Sequence, residues 1–133
     1  MANPLLLDIV TFLTENNVIQ GDGIDTFRDF IPETPDNLVA ITEYAGSPAV
    51  SYDPTGHRSV QVSVRNLDAD TARQKALEIY KLFMSKRGED LKIDFTGDRW
   101  GQVFLRQPPF RMRTDSSDRV FYGFNFGITT NIE

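Results

Sequence analysis

The chain has 133 residues, 40% of them hydrophobic and 25% charged, with a formal net charge of −5 and no cysteine. That length suffices for one domain with its own core, while the missing cysteines exclude a disulfide framework or a thiolate metal site and fit a reducing compartment. The acidic balance argues against a generic nucleic-acid binder, which needs a basic face for phosphate, and no apolar run approaches the roughly 20 residues of a membrane-spanning helix.

Asn3-Pro4 reads as a helix cap followed by a first helical residue. Leu5, Leu6, Ile9, Val10, Phe12 and Leu13 then form a wide apolar face, which predicts an amphipathic helix over residues 4–16. Asp8 interrupts the apolar run after Leu7 and no basic region precedes it, so a secretory leader is not expected there. Asn16-Asn17 and Gly21-Asp22-Gly23 turn the chain. The second of these lacks both a preceding strand and the third glycine of a phosphate-binding loop, and a plain turn accounts for it better.

Residues 25–31 and 37–44 read as strands joined by Pro32-Glu33-Thr34-Pro35-Asp36, a rigid connection rather than a tight hairpin turn. The second of these strands starts apolar on both faces, which suggests a central place in a sheet. Residues 45–57 (AGSPAVSYDPTGH) combine two prolines and two glycines and predict a projecting loop. Loops of that length usually have a task, and this one carries Tyr52, Asp53 and the chain's single histidine, His57.

The centre of the chain is residues 58–87. Val60, Val62 and Val64 alternate with Ser59, Gln61, Ser63 and Arg65, the pattern of a strand that buries one side. Asp68 and Asp70 then supply carboxylates for a helix N-terminus. Ala72, Ala76, Ile79, Tyr80 and Phe83 follow at helical steps, and Lys86-Arg87 before Gly88 suit a helix end.

Beyond it, residues 91–95 and 100–106 read as strands around a turn at 96–98. Gln107-Pro108-Pro109 breaks the second, residues 110–113 resume, and 114–118 form a polar turn. In the last strand, 119–129, Val120, Tyr122, Phe124, Phe126 and Ile128 face the core. Gly123 and Gly127 leave flat spaces on the back where another strand or subunit can approach. The whole predicts a single α+β domain over 1–133, a mixed and largely antiparallel sheet with two helices packed on one face.

No nucleophile–base arrangement is legible, and one isolated histidine makes neither a triad nor a metal site. Asp22, Asp25, Asp29 and Glu33 match neither a calcium loop nor paired catalytic carboxylates, and read as solvated loop acids. Arg106, Arg111, Arg113 and Arg119 concentrate positive charge near aromatic residues, an arrangement that can hold nucleic acid. Because Asp115 and Asp118 are interleaved, cross-strand ion pairs or a subunit contact explain them better.

The order of segments resembles the tail-terminator and minor capsid proteins of long-tailed bacteriophages and prophages. The resemblance is carried by PLLLDIVTFLTEN at the start, SVQVSVRNLDADTARQKALEIYKLF at the centre, and QPPF, SSDRV and FYGFNFGI near the end. It implies a structural virion protein without enzyme activity or cofactor. Such proteins form a homo-hexameric ring that caps the tail tube at its head-proximal end, assembled in the host cytoplasm. The implied partners are other copies of the chain, the tail tube protein and the head–tail connector, with DNA passing through the lumen without sequence-specific binding. Tyr52, Asp53, His57, Arg111, Arg113, Asp115, Asp118 and Arg119 are the candidate contact residues, read from the loop and the charged hairpin. A head-completion or connector protein of the neck is the nearest alternative. A monomeric ligand-binding or enzymatic α+β domain is the alternative from another class.

Overall fold

The computed structural model describes residues 4–44, 56–85, 92–95 and 97–132. Two helices, α1 (Pro4–Glu15) and α2 (Ala69–Ser85), accompany seven strands: β1 (Thr26–Arg28), β2 (Leu38–Tyr44), β3 (Gly56–Asn66), β4 (Lys92–Asp94), β5 (Trp100–Leu105), β6 (Phe110–Thr114) and β7 (Val120–Thr130). The predicted loop thus ends two residues early, because Gly56 and His57 belong to β3. Its remainder, with Tyr52 and Asp53, lies outside the described residues, as do Asn3 and the helix-stop residues Lys86 to Gly88.

The sheet runs β1-β2-β3-β7-β5-β4, with β6 also on β7. β1 and β2 are parallel, and every other pair is antiparallel. Together with the helices this is the expected α+β fold. β5 and β6 share one edge of β7: Leu105 pairs with Phe126 and Phe110 with Gly123, so the four residues 106–109 stand against the two residues 124–125. The interruption falls where Pro108 and Pro109 have no N–H to offer a ladder. A single row crosses the sheet through Thr26, Val39, Val64, Tyr122 and Arg111, placing β1 and β6 at its two ends.

Both helices bury their apolar stripes in one core with the even-numbered face of β3 and β7. Val60, Val62, Ile79, Phe124 and Phe126 have no exposed surface, and Val64 and Phe83 almost none. The Phe83 ring lies 4.9 Å from Phe126 and 5.7 Å from Phe12, tying α2 to β7 and α1 at once. Ala72 and Ala76, fully buried, let α2 approach the sheet. α1 ends as helices with a left-handed cap end: Asn17 has φ 61°, Asn17 N–H donates to Thr14 and Val18 N–H to Leu13. Asp68 caps α2 by accepting from the Thr71 N–H at 3.1 Å.

Two expectations are corrected. The strand at 25–31 shortens to Thr26–Arg28, because Asp29 takes φ 61°, a conformation that strands do not use. The other face of β3 is not a solvent face, since Ser59, Ser63 and Arg65 are 2–6% exposed. The connection 33–36 and side chains from β6 and the break before it cover that face.

Candidate assembly surface

The covering begins with two arginines. Arg65, at the end of β3, donates from Nε to the Asp36 carbonyl at 3.0 Å and from Nη2 to the carbonyls of Glu33 and Pro35. Arg119, at the start of the last strand's hairpin, donates to the Glu33 carbonyl at 2.6 Å and to the Asp115 carboxylate at 2.8 Å. Glu33 and Asp36 complete its surroundings at 3.3 and 3.4 Å. Both guanidinium groups are buried, and four donor contacts to backbone carbonyls hold the 33–36 connection on the sheet. The Thr34–Pro35 bond within it is cis.

Electrostatics follow from this crowding. Burial pushes Arg65 below the ordinary guanidinium value, and the neighbouring positive charge of Arg119 adds to the effect. Burial acts on Arg119 in the same direction, but its hydrogen bond and charge contact with Asp115, followed by Glu33, leave it raised. Burial tends to raise the Asp115 carboxyl. The N–H groups of Arg119 and Ser117 and the Arg119 guanidinium outweigh that and hold it below the usual carboxylate range.

Arg106 covers the neighbouring stretch of the same face. Its guanidinium donates to the Tyr44 hydroxyl at 3.0 Å and to Ser59 Oγ at 3.1 Å, passing over Gly127, where a Cβ would lie 3.3 Å from it. At Gly123 a Cβ would meet the Val62 carbonyl oxygen, with Met112 Cε at 3.1 Å. The two glycines therefore admit the chain's own β3, Met112 and Arg106. The flat spaces expected at the back of β7 are filled from within.

The candidate contact residues fall into three groups. Arg119 and Asp115 form the internal pair just described, with Arg119 4% exposed. Arg111, Arg113 and Asp118 are exposed on the β6–β7 hairpin. Arg113 stands 3.9 Å over the Phe121 ring and Arg111 donates to Thr114 Oγ1, while Asp118 turns the chain at φ 62°. His57 belongs to β3, opposite Thr129, on the strand that leads out of the loop. Sequence reasoning missed Arg65 as an anchor and Arg106 as a strap. A charged residue on the apparent solvent face of an otherwise apolar strand was the one available signal for Arg65.

Two small clefts, of about 160 and 200 Å³, are lined by Asp8, Thr11 and Phe95 and by Asp25, Asn37 and Lys75 among others. Among the described residues no three His, Cys, Asp or Glu side chains are grouped to hold a metal ion, and no helix is long and apolar enough to cross a membrane. Among the described residues the exposed large apolar side chains include Ile24, Phe30 and Ile31 beside β1, and Phe104 and Phe110 on either side of the break between β5 and β6, with Leu7, Tyr44, Leu67 and Met84 elsewhere.

A family model described as "Bacteriophage tail terminator protein" matches residues 13–132. The chain belongs to this family. The match takes in all of the sheet, α2 and the last turn of α1. No curated protein matches the chain significantly. As a phage tail terminator it is a structural component of the virion tail, working through surfaces shared with other virion proteins. Its exposed apolar and charged residues are therefore the ones to weigh for function.

Proposed function

We propose that the chain assembles as a homo-hexameric ring that caps the tail tube at its head-proximal end and offers the joining surface to the head–tail connector. The family match over residues 13–132 carries this reading. A part that ends a polymer must bind the tube on one side while closing on itself, and head-to-tail contacts between copies do so when the rotation closes. The net charge of −5 suits a lumen through which DNA passes without sticking, since an acidic wall repels phosphate. Arg111, Arg113 and Asp118, exposed on one hairpin, and Tyr52, Asp53 and His57 at the 45–57 segment are contact residues in this reading.

The test is a producing phage that lacks the protein. Electron microscopy is expected to show tails of irregular or excess length that do not join heads. Folded protein with Arg111 and Arg113 reversed to glutamate is expected to complement poorly. Tails of normal length and full infectivity without the protein would overturn the proposal.

A further inference from the structure

We infer that neighbouring copies meet head to tail, the Phe104–Phe110 side of one copy docking on the Ile24–Phe30–Ile31 patch of the next. The inference rests on the ring reading above and names the surfaces that would build it.

Each patch is apolar and exposed where a chain without partners would be expected to hide it. Ile24 is 60% and Phe30 58% exposed, and Phe104 and Phe110 are 47% and 38% exposed. Phe30 is held edge-on against Phe27 at 5.7 Å, so its ring is a fixed feature of the surface. Exposed large apolar side chains set among charged ones are candidate contact points for a partner.

The rims are of opposite sign. Residues 22–31 contain Asp22, Asp25 and Asp29 against Arg28, three acids less one base, or −2. Residues 104–113 contain Arg106, Arg111 and Arg113 and no acid, or +3. Two copies meeting through the same patch would bring like charges together. Meeting through different patches pairs plus with minus, and electrostatic complementarity of this kind selects partner and orientation.

Their placement fits a closed chain of copies. β1 and β6 end the row through Thr26, Val39, Val64, Tyr122 and Arg111. Four strand spacings of about 4.8 Å put them roughly 19 Å apart along the sheet. Phe110 shares a row with Gly123, Ser63, Ala40 and Phe27, the ring that Phe30 packs on, so copies docked through Phe110 step sideways without climbing in the strand direction. Phe104, opposite Gly127, lies four residues further along β7. β6 pairs with β7 along one edge, and no described strand lies on its other edge, which leaves that side of the hairpin open to a neighbour.

The absence of native cysteine makes the contact directly testable. Two double variants, Phe30→Cys with Phe104→Cys and Ile24→Cys with Phe110→Cys, are oxidised both as concentrated purified protein and in tails of the producing phage. A disulfide needs Cα atoms within about 7 Å, so a bond within one copy is excluded by the separation across the sheet. At least one double variant is expected to give a ladder of disulfide-linked copies, while each single-cysteine variant stays monomeric. An amine-reactive cross-linker and circular dichroism run in parallel on every sample. If the cross-linker joins copies but neither double variant forms a ladder, the docking inference is wrong and the ring reading stands. Dimers from single-cysteine variants as abundant as the ladder would show a symmetric contact and overturn it too. Should the cross-linker join no copies within tails, the ring reading itself fails and the inference falls with it.

Discussion

Arg119 donates to the carbonyl of Glu33, 86 positions earlier in the chain, at 2.6 Å. That bond joins the last hairpin to the proline-rich connection, and the carboxylates of Asp115, Glu33 and Asp36 surround the same guanidinium. Replacing Arg119 with alanine is expected to free the connection and lower the melting temperature, because one buried planar fork serves the Glu33 carbonyl and three carboxylates at once. Lysine should rescue little, since one ammonium cannot reproduce the geometry. Amide hydrogen exchange at residues 33–37 checks this: exchange as slow as in the parent would count against it.

Phe83 makes the second prediction. Its ring touches Phe12, Phe124 and Phe126, with centroid distances of 5.7, 6.3 and 4.9 Å, and is 1% exposed. Phe83→Ala should cost about 3–5 kcal/mol, the lost transfer energy plus a cavity among rings that relax only in part. Urea denaturation reads the difference, and a cost under about 1 kcal/mol would mean the three elements are not joined at this point.

The helix-facing side of the sheet is legible in the sequence because its signal is local. Val60, Val62 and Val64 alternate, Ile79 and Phe83 follow at helical spacing, and the same residues are buried in the structure. The opposite side is not legible, because its signal lies far away in the chain. Ser59, Ser63 and Arg65 read as solvent-facing by period alone, and are covered by contacts such as Arg65 to Asp36 and Arg106 to Ser59, which span 29 and 47 positions. Arg119 shows the same limit. Its pairing with Asp115 was readable four residues apart, whereas its burial depends on Glu33. The candidate surface was legible as charge and as breaks in pattern, at Arg111, Arg113 and the QPP segment. The exposed Ile24 and Phe30 were not, because nothing local in the sequence marks an apolar residue beside a short strand as exposed.

Gly123 and Gly127 should behave differently despite their shared face. A Cβ at Gly123 would collide with the backbone carbonyl of Val62, so Gly123→Ala must push β3 and β7 apart and should cost about 1–3 kcal/mol or more. At Gly127 the nearest obstacle is the Arg106 guanidinium at 3.3 Å, the end of a flexible side chain. Gly127→Ala should cost at most about 1 kcal/mol, the scale of a weakened hydrogen bond. Equal costs at the two positions, measured by chemical denaturation, would contradict this account of the face.

The last prediction concerns acid. Asp115 accepts from the N–H groups of Ser117 and Arg119 at 2.9 and 3.0 Å and from the Arg119 guanidinium, and its carboxyl is held below the usual range. A carboxylate with a depressed folded pKa contributes stability that is fully present above its unfolded value, near pH 4. That contribution is lost as pH falls through the folded value. Asp68, depressed chiefly by its side-chain hydrogen bond with Thr71 and next by the Thr71 N–H, adds to the same acid-side decline. Asp115→Asn is therefore expected to be less stable than the parent at neutral pH, with the difference shrinking from about pH 4 downwards as the parent's own carboxyl is protonated. Asp68 remains in both proteins, so each should still lose stability in acid, the parent more steeply. Melting temperatures of the pair between pH 7 and pH 2 decide the matter. A gap that stays constant or widens in acid would show that Asp115 acts through shape alone and not through its charge.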